Sequence, residues 1–290
     1  MNTAYTAFRA IREQVHCTDD AIRLACEWEV LAPKLGNVHP NARFKDCDHQ
    51  DFLRAAKQIA SILGREDSSL RLGERILLAV KATREVTSAN VNLGIILLIA
   101  PLAMAKRQAD IDEILKTLTP ADGQHVFEAI RLASPGGMKR ADVPTEQDVQ
   151  AAHAQPIDLI EAMKHAASSD RIALQYATSF RDFFESVVPV VLESVDRPVD
   201  CAEGIVDAQL KLMSLQPDSL ISRKCGATAA ETVRQLAIEC MRADSPQARQ
   251  QFDAWLRADG NRRNPGTTAD LIAASLYWLL RPAPAQANVI

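Results

Sequence analysis

The sequence predicts an all-α protein. Apolar residues recur at three- and four-residue spacings along most of the chain, and alternating β-branched runs of strand length are scarce. Pro and Gly collect in short breaks between the periodic segments. A chain of 290 residues with 47% hydrophobic content can bury a sizeable core, and no Gly/Ser linker is long enough to separate independent cores. The expectation is one compact multi-helix domain over residues 1–282 around a buried central helix, with "APAQANVI" at 283–290 as a flexible tail.

From Asp20 onward, Ile22, Leu24, Ala25, Trp28 and Leu31 mark a helix that Thr18 or Asp19 can cap and that stops at Pro33. The same periodicity predicts helices at 48–64 and 70–87. Segment 93–105 is almost wholly apolar, which predicts a helix buried around most of its circumference. Amphipathic helices at 108–117 and 121–133 follow, and then "SPGGMKRADVPTEQDV" reads as a surface loop, with 134–148 the alternative domain boundary. Helices resume near 157–167, 169–195, 200–214, 226–242, 246–258 and 267–280, and Pro189 within "FFESVVPVVLESV" predicts a kink or split.

Composition narrows the function. The 33 basic and 37 acidic residues are dispersed, giving a net charge of −4 and no extended basic face for nucleic-acid phosphates. The longest apolar run, 91–105, contains Asn92 and Pro101 and falls short of the roughly 20 residues that span a bilayer, so no membrane anchor is expected. Cys17, Cys26, Cys47, Cys201, Cys225 and Cys240 form no CxxC pair, and the N-terminus lacks the apolar core of a signal peptide; reduced thiols and a cytoplasmic location are predicted.

Six polar constellations stand apart from the apolar periodicity. "EVLAPKLGNVHP" puts Glu29 on the last turn of a helix and Lys34, Asn37 and His39 beyond it; a rigid loop can present Lys34 to phosphate, or Lys34 can serve the helix's last carbonyls. In "FKDCDHQDF", Asp46, Asp48 and Asp51 can hold Mg²⁺, or Asp48 can cap the next helix. "SANVNLGIILLIAPLA" opens the central helix with Ser88, Asn90 and Asn92, which are capping groups or ligand contacts beside free backbone donors.

"SSDRIALQY" carries Asp170, Arg171 and Gln175, and "PDSLISRKCG" carries Asp218, Arg223 and Lys224; each reads as a solvated helix face or as support for metal and triphosphate. In "GNRRNPGTTADLIAASLYWLL", Asn264-Pro-Gly266-Thr267-Thr268 makes a turn, and Thr267 or Thr268 starts a helix with Asp270 in its first turn. A turn ahead of a helix N-terminus suits phosphate or ribose, and an Asp there also complements the helix dipole.

"EVLAPKLGNV", "NVNLGIILLIAPLA", "PDSLISRKCG" and "NPGTTADLIA", in this order across most of the chain, resemble the triphosphoribosyl-dephospho-CoA synthase family. The resemblance implies an ATP-using transferase that displaces adenine and joins the 5-triphosphoribosyl group to the ribose 2′-hydroxyl of 3′-dephospho-CoA. Such a site needs cations for triphosphate, Mg²⁺, and groups that help adenine leave and deprotonate a hydroxyl. On matching positions the implied roles are Lys34, Arg223 and Lys224 for triphosphate, with Glu29, Asp46 and Asp218 for Mg²⁺. Asn37, Asn90, Asn92 and Asn264, with Gly266 and Thr267, are implied for ribose or base, and Asp170 and Asp270 for general base or cation stabilisation.

The chain departs from the family pattern at three places: Leu35 replaces a proline of "PKPG", Asn92 and Leu93 replace the histidine and lysine of "NTHKG", and Asp218-Ser219-Leu220 stands for a "DTN"-like segment. The "N-x-N-L-G" form resembles a divergent branch of archaea and some C1-metabolising bacteria, which implies as an alternative a related ribosyl transfer in tetrahydromethanopterin-type cofactor synthesis. Hydrolysis, and nucleotide binding without turnover, are the remaining readings. The expected partners are small molecules, with neither nucleic acid nor membrane, and a homo-oligomer is compatible with the sequence.

Overall fold

The computed structural model describes residues 6–65, 69–89, 91–133 and 156–282. The loop expected at 134–148, the tail at 283–290 and Asn90 lie outside the described residues. Fifteen α-helices and no strand occur among those described. In the N-terminal half they are α1 (Ala7–Arg12), α2 (Thr18–Leu31), α3 (His49–Leu63), α4 (Leu72–Val86), α5 (Leu93–Met104), α6 (Asp110–Lys116) and α7 (Pro120–Ala133). The C-terminal half adds α8 (Leu159–Ala166), α9 (Arg171–Ala177), α10 (Val188–Val195), α11 (Cys201–Leu215), α12 (Ser219–Cys225), α13 (Ala227–Ala243), α14 (Pro246–Arg257) and α15 (Gly266–Leu280). No described helix is long and apolar enough to cross a membrane.

The apolar α5 is the expected central helix, buried from Gly94 to Leu102 with Pro101 inside it. It shares the centre with α15, which buries residues on all sides and packs against α2, α5, α10 and α11. The main core runs from Phe8 on α1 to Leu280 on α15. A second, smaller core joins α11 to α14 through Val206, Leu210, Met213, Val233 and Phe252, and Leu35 from the loop after α2 is buried in it. The residue that departs from "PKPG" is therefore an apolar plug between the N-terminal helices and the C-terminal ones.

Local chemistry explains where several elements begin. Asp48 caps α3 in a capping box with Asp51, one of the two readings left open by its sequence. The cap of α2 is the Cys17 thiol, one residue ahead of the expected Thr18 or Asp19, with Sγ accepting from the Asp20 N–H. Two short helices, α1 and α12, were not expected, because six or seven residues are too few to show a period.

The predicted helix at 169–195 is divided, but the main break falls upstream of Pro189. Ser179 and Phe180 adopt positive φ after α9, and a π-helical turn at Phe183–Val187 leads into α10. Pro189 sits in the first turn of α10, where a missing N–H is harmless. The buried Gln175 holds the break: Nε2 donates to the Arg171 carbonyl and Asp182, and Oε1 accepts from the Phe183 N–H. Burial of Phe180 against Tyr176 and Phe183 offsets the strained backbone.

Candidate active site

The loop after α2 is held from three directions. Gly36, at φ 71°, donates its N–H to Asp253 Oδ1 at 2.7 Å, and Arg257 on the same helix α14 donates to the Asn37 carbonyl at 2.7 Å. Gln209 on α11 accepts from the Leu35 N–H and donates to the Leu35 carbonyl, both at 2.8 Å. Lys34 is completely buried, with Nζ 2.8 Å from Glu29 Oε1 and also donating to the Glu29 carbonyl in the last turn of α2. Lys34 thus serves a carbonyl at the end of its helix, one of the two readings its sequence left open, and is also half of a buried ion pair.

A second group gathers where α9, α12 and α15 begin. Asp218 caps α12, with Oδ1 accepting the N–H groups of Leu220 and Ile221. Its Oδ2 accepts the Thr268 N–H and hydroxyl. Ser219 receives the Arg171 N–H and donates to the Thr267 hydroxyl at 2.9 Å, completing the seam between the three helices. Asp170 caps α9 with Oδ1 and pairs with Arg223 through Oδ2. Arg223 Nε is buried without a partner, and Lys224 Nζ donates to Asn264 Oδ1 at 3.0 Å. Burial lowers the pKa of Lys224, against a smaller opposing pull from Asp218, so this ammonium gains from a nearby anion.

The third group lies at the mouth of the central helix. Because α15 starts at Gly266, Asp270 sits one turn inside it and not in the expected first turn. Its carboxylate abuts Gly94 so closely that a Cβ there would lie 2.1 Å from Oδ2. Asp270 accepts no hydrogen bond from a described residue. Burial, then the charges of Glu29 and Asp218, raise its pKa well above the usual carboxylate range, with Arg223 offsetting only a fraction. The remaining candidate, Asn92, is left-handed at φ 64° and precedes α5 without capping it. Both polar atoms of its side chain are buried without a hydrogen-bond partner among the described residues.

Burying such an amide costs about 1–3 kcal/mol unless something binds it. The first N–H groups of α5, also without a side-chain cap, add unused donors at the same place. Asp270 abuts Gly94 at the start of α5, Asp218 holds Thr268 two residues before Asp270, and α15 also packs against α2, so these groups are linked through α15. The stretches around Gly94, Asp218 and Asp270, far apart in the chain, thus meet at the start of α15, whereas Asp46 is exposed on its own loop.

The carboxylates proposed for Mg²⁺ do not assemble a cage. Asp218 already has four donors on two oxygens, Glu29 is paired with Lys34, and Asp46 is exposed on its loop. Among the described residues no three His, Cys, Asp or Glu side chains are grouped to hold a metal. These side chains as placed do not fit a protein-held Mg²⁺.

Sequence reading also missed groups that build the site. Gln209, Asp253 and Arg257 clamp the loop, and Thr268 and Ser219 carry the seam. Gln209 had a visible signal, since it is the polar position among Val206, Leu210 and Met213 on the buried side of α11. Asp253 and Arg257, four apart on an amphipathic helix, look like an ordinary surface pair.

The model of the ATP:dephospho-CoA triphosphoribosyl transferase family matches residues 17–288. The chain belongs to this family. Among solved structures it is similar to a protein from Archaeoglobus fulgidus described as a candidate triphosphoribosyl-dephospho-CoA synthase. The two are 26% identical, with a TM-score of 0.60 over 80% of this chain and 97% of the other. No curated protein matches the chain. As a triphosphoribosyl transferase, it is an enzyme of cofactor biosynthesis whose family substrates are ATP and dephospho-CoA. This membership favours dephospho-CoA over the pterin-type acceptor.

Proposed function

We propose that this chain releases adenine from ATP and joins the triphosphoribosyl group to the ribose 2′-hydroxyl of 3′-dephospho-CoA around the start of α15. The C1′–N9 bond of ATP breaks, a C1′–O2′ bond forms, the acceptor hydroxyl loses a proton and adenine gains one. The buried amide of Asn92, without a partner among the described residues, at the uncapped start of α5 and two residues before the Gly94 that abuts Asp270, carries this reading.

In this reading Arg223 and Lys224 meet the triphosphate, supported by the buried, partnerless Nε of Arg223. Lys34 contributes its charge from beneath the loop, neutralised by Glu29 until the nucleotide arrives. Asn37, Asn90, Asn92 and Asn264 contact ribose or base, with Gly266 and Thr267 bringing the main chain close. Asp270 exchanges the proton, because it lies at the junction of α5 and α15 and burial makes its carboxylate a stronger base than an exposed one. Asp170 aims Arg223 and acts through it. Any Mg²⁺ would belong to the ATP substrate and not to a protein-held site, and would supply charge neutralisation to its phosphates. The unpaired cysteines support a reducing, cytoplasmic setting.

Chromatography of ATP incubations tests the proposal. Adenine should appear in step with dephospho-CoA consumed; no adenine release with this acceptor overturns the reading, and release without any acceptor indicates hydrolysis.

A further inference from the structure

Gln209 has no exposed surface, and beyond clamping the backbone of Leu35 it reaches the Asn37 side chain, making three hydrogen bonds across the molecule. The orientation of its amide is settled by backbone groups. A peptide N–H can only donate and a carbonyl can only accept, so Oε1 must face the Leu35 N–H and Nε2 the Leu35 carbonyl. The second Nε2 hydrogen points to Asn37 at 2.7 Å, and only the oxygen of that amide can receive it. Asn37 therefore cannot turn over without setting two donors against each other.

One edge of the Asn37 amide is consumed and the other is left for something else. Its Nδ2 has no hydrogen-bond partner among the described residues, and it is not among the polar atoms sealed from solvent. The Asn37 main chain is fixed independently, by Arg257 on its carbonyl. Side chain and backbone are thus both preset, so little ordering is lost when a ligand arrives.

We propose that Gln209 is a positioning residue that locks the Asn37 amide with its NH₂ edge outward, so that this wall of the site accepts only a hydrogen-bond acceptor. The occupant is an acceptor of the nucleotide, a ribose or phosphate oxygen or a ring nitrogen, and a group that can only donate is excluded. The inference rests on the reading of Asn37 as a ligand contact. Leu35 strengthens the relay, because its burial in the second core holds the backbone groups that orient Gln209.

A double-mutant cycle on the full chain tests it. Asn37→Ala and Gln209→Met should each raise the KM for ATP about tenfold with kcat within about twofold, the scale of one lost hydrogen bond to an anion. The double variant should be no worse than Asn37→Ala alone, since Gln209 acts only through Asn37. An additional full loss in the double variant, or an unchanged KM in Asn37→Ala, overturns the proposal. Asn37→Asp keeps the Gln209 bonds and loop backbone while turning an acceptor outward, and should weaken ATP at least as much as Asn37→Ala. Isothermal titration with ATP, inorganic triphosphate and adenosine reads the relay without turnover, so it stands apart from any failure of the transferase assay. A loss confined to triphosphate identifies a phosphate oxygen, a loss confined to adenosine identifies a ribose oxygen or a ring nitrogen, and unchanged binding of all three overturns the relay.

Discussion

Asp218 on α12 receives both the main-chain N–H and the hydroxyl of Thr268 on one carboxylate oxygen, each at 2.8 Å, while its other oxygen caps its own helix. One side chain thereby fixes the start of α15 against α12 and sets where Asp270 emerges.

Asp218→Asn places an NH₂ group against buried donors. A loss of about 2–4 kcal/mol is expected from the unsatisfied groups and weakened cap, read as a lower denaturant midpoint with unchanged slope. A variant as stable as the parent would remove Asp218 from this role.

Lys34→Met leaves Glu29 buried without its cation and should cost about 3–5 kcal/mol. Replacing both partners, as in Glu29→Leu with Lys34→Met, should recover most of that loss, because the desolvation of both charges disappears. Chemical denaturation of the two singles and the double measures the coupling; additive losses would contradict it.

Asn92→Gly removes an amide that no described residue satisfies and relieves a left-handed backbone. Stability should stay within about 1 kcal/mol of the parent or rise, while ATP affinity falls about tenfold or more. Calorimetric titration alongside unfolding tests whether the two quantities diverge; a parallel loss of both would mean Asn92 is structural.

For Asp270 the sign of the pH effect follows from its raised pKa. Between the unfolded value and the higher folded one, the unfolded chain is ionised while the folded chain still holds the proton. Raising pH through that window favours unfolding, so this group's contribution is present at low pH and lost as pH rises. Asp270→Asn should lose activity, yet lose less stability than the parent as pH rises through that window. Equal pH slopes in urea titrations would count against it.

Gly94→Ala should also lose activity, because the added methyl occupies the position of the Asp270 carboxylate. Far-UV circular dichroism should remain that of the parent, since the displaced atoms lie at the end of a side chain. Full activity in this variant would show that Asp270 has freedom to spare.

The helices were largely readable because periodicity reports which face is buried, as α5 and α3 illustrate. Its failures have physical causes. Periodicity over 169–195 continues through the break at Ser179 and Phe180, because residues on both sides still face the same core. The site letters were readable as residue types but not as partnerships. Lys34 looks like a free loop cation until Glu29 is seen to claim it, and Gln209 acquires meaning only from Leu35 and Asn37.

The clamp on the loop also bears on when this enzyme becomes itself. Leu35 and Gln209 are separated by 174 residues, and Asn37 and Arg257 by 220. At about 5–20 residues per second of synthesis, α11 leaves the ribosome on the order of ten seconds after α2. The N-terminal helices can associate through local contacts in that interval, whereas the loop carrying Lys34 and Asn37 must wait for partners not yet made. The proposed site is therefore a late product of folding, and a chain cut short before α14 would keep many of its helices and the hold of Gln209 while losing the Asp253 and Arg257 bonds to the loop.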